Sequence, residues 1–452
     1  MFKVSELAKA TGARLIRGKQ EARVRGISID SRSIKRGEAF IAIKGDRFDG
    51  QRFIGHAAAK GAGCIITAGK TLKNLPGNAA ILKVRDTTCA LGDIARFQRN
   101  RFDIPVIAVT GSNGKTTTKD MIAHILSKSM RVLKNEGTRN NQIGLPLTLS
   151  KLNARHDAVV LEIGTNHFGE VECLSGICSP NIGVITNIAA AHLEFFRDLD
   201  GVLREKRSLL SNLRKPYIAL LNADDKMLSR LLSAEGKKKL KLGFSLKGAS
   251  DFRAGDLKCL RGIQEFSVNG RQRFELKSPG YWNIYNALAA IAVARVLGVG
   301  YNQIARALRS FDFPGGRFTL KRSGNISFID DTYNSNPVSL ACALEALGDL
   351  SVKGRKIVVI GDMLELGDAS GDLHAQAGRE AAAVCDVFIA VGRLSGPAAE
   401  GARSCGLGRE KVFRCANSLQ ARRLLKEKLR LSHNDLVLVK GSRAMKMEEV
   451  IS

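Results

Sequence analysis

The sequence predicts an α/β chain of three domains, covering residues 1–103, 104–317 and 318–452. Three observations carry that reading. Short apolar runs alternate with helical patterns through the middle and the end of the chain, as expected of parallel sheet covered on both faces. One such run, at 105–110, leads directly into the glycine-rich loop Gly111-Ser112-Asn113-Gly114-Lys115-Thr116-Thr117, with a helical pattern following over 116–130. Finally, the break Phe313-Pro314-Gly315-Gly316 interrupts the alternation, which then restarts. At 452 residues the chain is also longer than one hydrophobic core usually serves.

Taken in order, the first domain holds apolar runs at 39–43, 64–67 and 80–84 between glycine-rich turns and closes on a helical segment at 86–101. The central domain is a P-loop, parallel-sheet unit with strands expected at 105–110, 158–163, 182–186 and 217–222 and a buried, alanine-rich helix at 285–297. Strands at 326–330, 356–360, 387–391 and 436–439 alternate with helices in the third, which reads as Rossmann-like. No internal repeat or low-complexity tract is present.

Composition excludes some classes. No apolar run approaches the roughly 20 residues of a membrane span; the nearest, 281–300, carries Arg295. The segment Met1-Phe2-Lys3-Val4-Ser5-Glu6 lacks a signal-peptide apolar region, so a cytoplasmic protein is expected. Nine cysteines without a C-x-x-C pair predict reduced, mostly buried thiols rather than disulfides or zinc. With 71 basic and 43 acidic residues the net charge is +28, which favours anionic partners. The bases are spread out, the run at 237–239 does not extend into an arm, and no zinc-finger spacing or aromatic RNA motif occurs. The expectation is a monomer that takes phosphorylated small substrates and no nucleic acid.

Chemistry centres on the loop. Backbone N–H groups at a helix N-terminus bind phosphate, Lys115 reaches the terminal phosphates, and the Thr116 hydroxyl suits a magnesium ion. The general pattern asks for glycine at 109, where this chain has Val109. Glu162 closes the next apolar run, where a P-loop's acidic metal partner belongs. His192 follows the run at 182–186; spacing alone leaves it equally a ligand or a structural histidine. Lys206 by itself reads as a surface lysine.

Six further motifs occur in order: Asn140-Asn141-Gln142-Ile143-Gly144-Leu145-Pro146, Glu162-Ile163-Gly164-Thr165-Asn166-His167, Ala191-His192-Leu193-Glu194, Asp330-Asp331-Thr332-Tyr333-Asn334-Ser335-Asn336-Pro337, Gly361-Asp362-Met363-Leu364-Glu365-Leu366-Gly367 and Lys440-Gly441-Ser442-Arg443. Together with Thr110-Gly111-Ser112-Asn113-Gly114-Lys115-Thr116-Thr117, they resemble the Mur ligases over nearly the whole chain, and within that family the branch that adds a dipeptide. The sister branch that adds a diamino acid usually carries Asp-Asn-Pro-Arg, which is absent here. Folylpolyglutamate synthases share the last two domains but leave Asp30-Ser31-Arg32 unexplained. A P-loop switch or nucleic-acid ATPase stays open as an alternative from another class.

The resemblance implies an ATP-dependent ligase that joins D-Ala-D-Ala to UDP-N-acetylmuramoyl-tripeptide through an acyl phosphate. It assigns the ATP site to Gly111, Ser112, Asn113, Gly114, Lys115, Thr116 and Thr117, with Asn286 on the adenine side, Arg317 on phosphate and Asp331 on the ribose. Two magnesium ions are implied, with Thr116, Glu162, His192 and a carbamylated Lys206 as ligands; Lys115, His192, Lys206 and Arg317 are the implied catalytic set. Trp282 stands where the family more often has histidine, which leaves Asn286 a firmer choice than Asn283. Asn334 and Asn336 are implied to face the dipeptide. Ser31 and Arg32 are implied to hold the UDP end, while Gln51, in place of a usual histidine, is not carried over.

Overall fold

Short, mostly apolar runs form most strands of the three larger sheets, and the amphipathic segments between them form the covering helices. The computed structural model describes residues 1–45, 48–69, 75–137, 139–233, 240–260, 262–278 and 280–452, so the basic run 237–239 lies outside the described residues. The first sheet is ordered Arg14–Arg17, Ala80–Lys83, Cys64–Thr67, Ala39–Ile41, Ile27–Ser28, parallel except at the first pair. The helix Thr87–Arg99 follows, capped by the Asp86 carboxylate on Cys89 N–H at 2.7 Å. Ala90, Leu91 and Ile94 enter the first core, whereas Ala95 enters the next, so this helix joins two cores.

The second sheet has nine strands. Third from one edge, β1 (Val106–Thr110) runs into α1 (Lys115–Leu126) and is flanked by β2 (Ala158–Glu162), which α2 (Glu170–Cys178) follows, and by β3 (Ile182–Ile185), all parallel. Alternate β1 residues serve opposite faces: Ile107 and Val109 pack in one core, Val106 and Ala108 in the other. Two-sided burial explains the near-continuous apolar run. Further on come α3 (Leu199–Arg207) and the almost wholly buried α4 (Trp282–Val296), which begins three residues before the expected 285 and so brings Asn283 into its first turn.

One edge departs from the expected parallel sheet. Phe252–Leu260, Ile263–Val268 and Gln272–Leu276 form an antiparallel extension. Exposed charged residues such as Arg253, Asp256, Lys258 and Arg273 interrupt these strands, which therefore carry no apolar run. Their turn signal was nevertheless present, since Asn269 and Gly270 both take positive φ at the second hairpin.

The third sheet runs Thr319–Ser323, β4 (Ile326–Asp331), β6 (Leu436–Lys440), β5 (Lys356–Gly361), Val387–Val391, Val412–Cys415; only the first pair is antiparallel. After β4 comes α5 (Pro337–Asp349), opened by proline at its first position. No described helix is long and apolar enough to cross a membrane. All nine cysteines are free; four are buried and four exposed, which corrects the expectation of mostly buried thiols.

Candidate active site

β1 delivers the glycine loop, and two glycines give it its shape. Gly111 has φ +144° and Gly114 φ +78°; a Cβ would fall 1.9 Å from Thr186 Oγ1 at the first and 2.2 Å from Asn286 Oδ1 at the second. Only glycine fits either place. Residue 109, by contrast, is the fourth residue of β1, fully buried and in register with Glu162, so Val109 suits a strand rather than a loop. The segment after β3 buttresses the loop: Ser112 Oγ donates to Ala189 O at 3.0 Å, and Asn113 N to Asn187 Oδ1 at 2.9 Å. The Lys115 Nζ donates to the carbonyls of Gly111 and Ser112, at 2.9 and 3.0 Å. Burial pushes this ammonium below its ordinary pKa, with Glu162 opposing and Arg317 adding to the shift. At the start of α1 the N–H groups have no intrahelical acceptor, which makes an anion site.

Across from the loop, Glu162 ends β2 and is buried. Its Oε2 accepts from Thr116 Oγ1 at 2.5 Å, its Oε1 from Asn140 Nδ2 at 2.7 Å. Asn135 clamps the backbone at that point, accepting from Glu162 N and donating to Glu162 O, each at 2.9 Å. The Thr116 hydroxyl also accepts from Arg317 Nη2 at 2.8 Å, and the Arg317 guanidinium lies 3.8 Å from the centroid of Tyr333. At the N-terminal end of α4, Asn286 Oδ1 accepts from Thr118 Oγ1 at 3.1 Å and its Nδ2 donates to Asn283 Oδ1 at 3.0 Å.

His192 has φ +55°, and its Nδ1 is hydrogen-bonded to Glu365 Oε2 at 2.5 Å. Lys206, which spacing alone read as a surface lysine, is buried near the end of α3 with no side-chain hydrogen bond or ion pair among the described residues. Desolvation lowers its pKa well below the ordinary lysine value; repulsion from Lys115 adds to the shift and Glu205 opposes it. Glu205, also buried, accepts from Gly169 N at 2.7 Å and Val171 N at 2.8 Å, anchoring α3 to the start of α2.

The third sheet supplies the opposite wall. Asp331 ends β4, accepting from Lys440 Nζ at 2.6 Å and Phe318 N at 3.0 Å. Lys440 also donates to Asn334 O at 3.0 Å. Asn336 caps α5 through Ser339 N at 2.9 Å, and its Nδ2 donates to Asn113 Oδ1 at 2.7 Å, joining the cap to the glycine loop.

Lys115, Thr116, Glu162, His192, Asn286, Arg317, Asp331, Asn334 and Asn336 therefore line one cleft of about 990 Å³. Lys206 lies beside it rather than on its wall. Ser31 and Arg32 are elsewhere, on the first sheet's unit. Ser31 Oγ is 3.0 Å from His56 Nδ1, and the exposed Arg32 guanidinium is paired at 2.8 Å with Asp30, whose carboxyl it pulls down to about 2. Sequence reasoning assigned no role to Asn140, Glu365 or Lys440, although each lies inside a motif it singled out; the signal was the motif, and what it lacked was the partner.

Three family models match in order: the Mur ligase family catalytic domain over residues 23–99, the Mur ligase middle domain over 109–294, and the Mur ligase glutamate ligase domain over 316–443. A curated UDP-N-acetylmuramoyl-tripeptide--D-alanyl-D-alanine ligase of Escherichia coli is 35% identical over 431 residues, 94% of this chain and 92% of its own. The chain belongs to the Mur ligase family. Solved structures agree with this Mur ligase along its length. MurF from Acinetobacter baumannii superposes with a TM-score of 0.90 at 31% identity, covering 99% of this chain and 97% of that one. MurF ligase from Thermotoga maritima, solved with ADP, gives 0.82 at 30% identity over 95% and 96%.

Proposed function

We propose that this Mur ligase uses ATP to join D-alanyl-D-alanine to the terminal carboxylate of UDP-N-acetylmuramoyl-tripeptide, in peptidoglycan precursor synthesis. The observation that carries the reading is the single cleft in which Lys115, Thr116 and Glu162 meet Arg317, Asp331 and Asn336, in a chain 35% identical to a ligase of that name. A carboxylate oxygen of the tripeptide attacks the γ-phosphorus, the bond to the bridging oxygen breaks, and ADP leaves. The dipeptide amine then attacks the acyl-phosphate carbonyl, loses a proton, and inorganic phosphate departs. Lys115 and Arg317 neutralise phosphate charge, and the loop holds the reacting groups in line.

The donor set fits magnesium. Thr116 Oγ1 and Glu162 Oε2 are 2.5 Å apart, both hard oxygens. Among the described residues no three His, Cys, Asp or Glu side chains form a cage, in keeping with an ion that keeps water and phosphate ligands. Thr116 and Glu162 hold one ion, and His192 and a carbamylated Lys206 contribute to a second; bound magnesium supplies charge neutralisation at the γ-phosphate and the substrate carboxylate. Burial disfavours the Lys206 ammonium relative to the neutral amine, the form that adds carbon dioxide to give a carbamate and release one proton. Ser31 and Arg32, in the domain 1–103, hold the UDP end; the domain 104–317 carries ATP, and 318–452 closes on it, with Asn334 near the dipeptide. The enzyme works as a cytoplasmic monomer without nucleic acid.

The test is phosphate release with ATP, UDP-N-acetylmuramoyl-tripeptide and D-Ala-D-Ala, omitting each in turn. Release that needs all three is expected; full-rate release without the dipeptide overturns the reading.

A further inference from the structure

His192 and Glu365 are 173 residues apart in sequence, one after β3 on the central sheet, the other after β5 on the third. Both hold positive φ, +55° and +64°, although neither is glycine. Left-handed backbone at two facing non-glycine residues is disfavoured and persists where the surroundings require it. What the two conformations achieve together is the contact of Glu365 Oε2 with His192 Nδ1 at 2.5 Å, backed by Glu194 N on Glu365 O at 3.4 Å.

A carboxylate accepting at one ring nitrogen fixes the proton there and leaves the other nitrogen's lone pair free. His192 lines the cleft that holds Thr116 and Glu162. We infer that Glu365 is a positioning residue: reaching across from the third sheet, it keeps His192 as the Nδ1–H tautomer with Nε2 free to bind the metal ion. This rests on the proposed role of His192 as a metal ligand. It makes the metal site complete only when the third sheet's unit is docked on the central one, because the orienting group belongs to the other unit.

The experiment uses the full-length chain labelled with ¹⁵N-histidine, with His192 assigned by its loss in His192→Gln. Ring ¹⁵N shifts report the tautomer, and Mn²⁺ titration in the presence of ADP, followed by electron paramagnetic resonance, reports metal affinity. Wild type should show the Nδ1–H tautomer. Glu365→Ala should lose that preference and bind Mn²⁺ roughly 10- to 100-fold more weakly. Glu365→Gln, which keeps an acceptor at the same reach, should restore part of both. Since alanine tolerates left-handed backbone poorly, Glu365→Asn, which tolerates it and falls one methylene short, should reproduce the alanine result in a folded chain. If the tautomer and the Mn²⁺ affinity stay at wild type in Glu365→Ala and Glu365→Asn while His192→Gln weakens the metal, the role of Glu365 is overturned. Should His192→Gln leave Mn²⁺ affinity unchanged, it is the metal role of His192 that fails.

Discussion

Lys206 shows how little of a residue's chemistry its neighbours in sequence reveal. In α3 the buried residues are Val202, Glu205 and Lys206, so the segment reads as a charged, exposed helix although two of its charges face inward. Glu205 is answered by the N–H groups at the start of α2; Lys206 has no such partner among the described residues. An ammonium there is disfavoured by desolvation first, then by Lys115, the direction that the proposed carbamate needs. Lys206→Ala should therefore lower turnover by at least about 100-fold, the scale of removing one group that stabilises transferring charge. Bicarbonate should not restore it, whereas a short carboxylic acid such as acetate should do so in part. Unimpaired turnover in Lys206→Ala would take the carbamate out of the mechanism. Val109 teaches the converse: the missing glycine was visible in the sequence, but only the pairing of β1 with β2 explains why none is needed.

Elements were legible where burial was two-sided. β1, β2, β3, β5 and β6 are near-continuous aliphatic runs because helices or loops cover both of their faces, and their expected positions were right to within a residue or two. The antiparallel edge at 252–276 was missed since one of its faces is wet. What sets the start of β5 against β6 was equally invisible: Arg355 and Asp435, each one residue before its strand, pair at 2.7 Å, with the Arg355 and Ser432 N–H groups also on the carboxylate at 2.8 Å. Burial works to raise the Asp435 carboxyl, but the Arg355 guanidinium and these backbone donors outweigh it and hold it at about 2. A carboxylate whose folded pKa is depressed stabilises the fold above its unfolded value, near 4, and loses that contribution as pH falls toward 2. Asp435→Asn should cost about 1–3 kcal/mol at pH 7. In denaturant titrations the gap to wild type should close between pH 4 and pH 2; a gap that stays constant with pH would mean the charge is not the cause.

At the scale of the whole molecule, among the described residues Asn336 is bonded to Asn113 and Glu365 to His192 across the central and third units, Trp282 packs edge-on against Phe318, and Arg317, the last residue of the central domain, is bonded to Thr116. The sequence offered the two walls separately, through motifs in order, yet it could not offer their meeting, because the hydrogen-bonded partners stand 223, 173 and 201 residues apart. The hydrogen bonds between the two walls are few, so ligands that touch both walls should favour the docked arrangement. Solution scattering of the chain with ADP, UDP-N-acetylmuramoyl-tripeptide and magnesium should give a smaller radius of gyration than the chain alone. Superimposable profiles would rule out closure. Arg317→Ala should weaken nucleotide binding while leaving the binding of UDP-N-acetylmuramoyl-tripeptide, proposed to rest on Ser31 and Arg32, unaffected.

The Asn336 carboxamide has a consequence of its own. Its oxygen stops the fraying of α5, and its nitrogen rests on Asn113 in the glycine loop. One planar group thus belongs to two structures at once, and linkage between them is reciprocal. If the capped helix steadies the loop for phosphate, phosphate in the loop must steady the helix by the same free energy. The amides of α5's first turn, on the far side of the cleft, should then exchange with deuterium more slowly when nucleotide is bound, so that a helix with no catalytic side chain reports on occupancy.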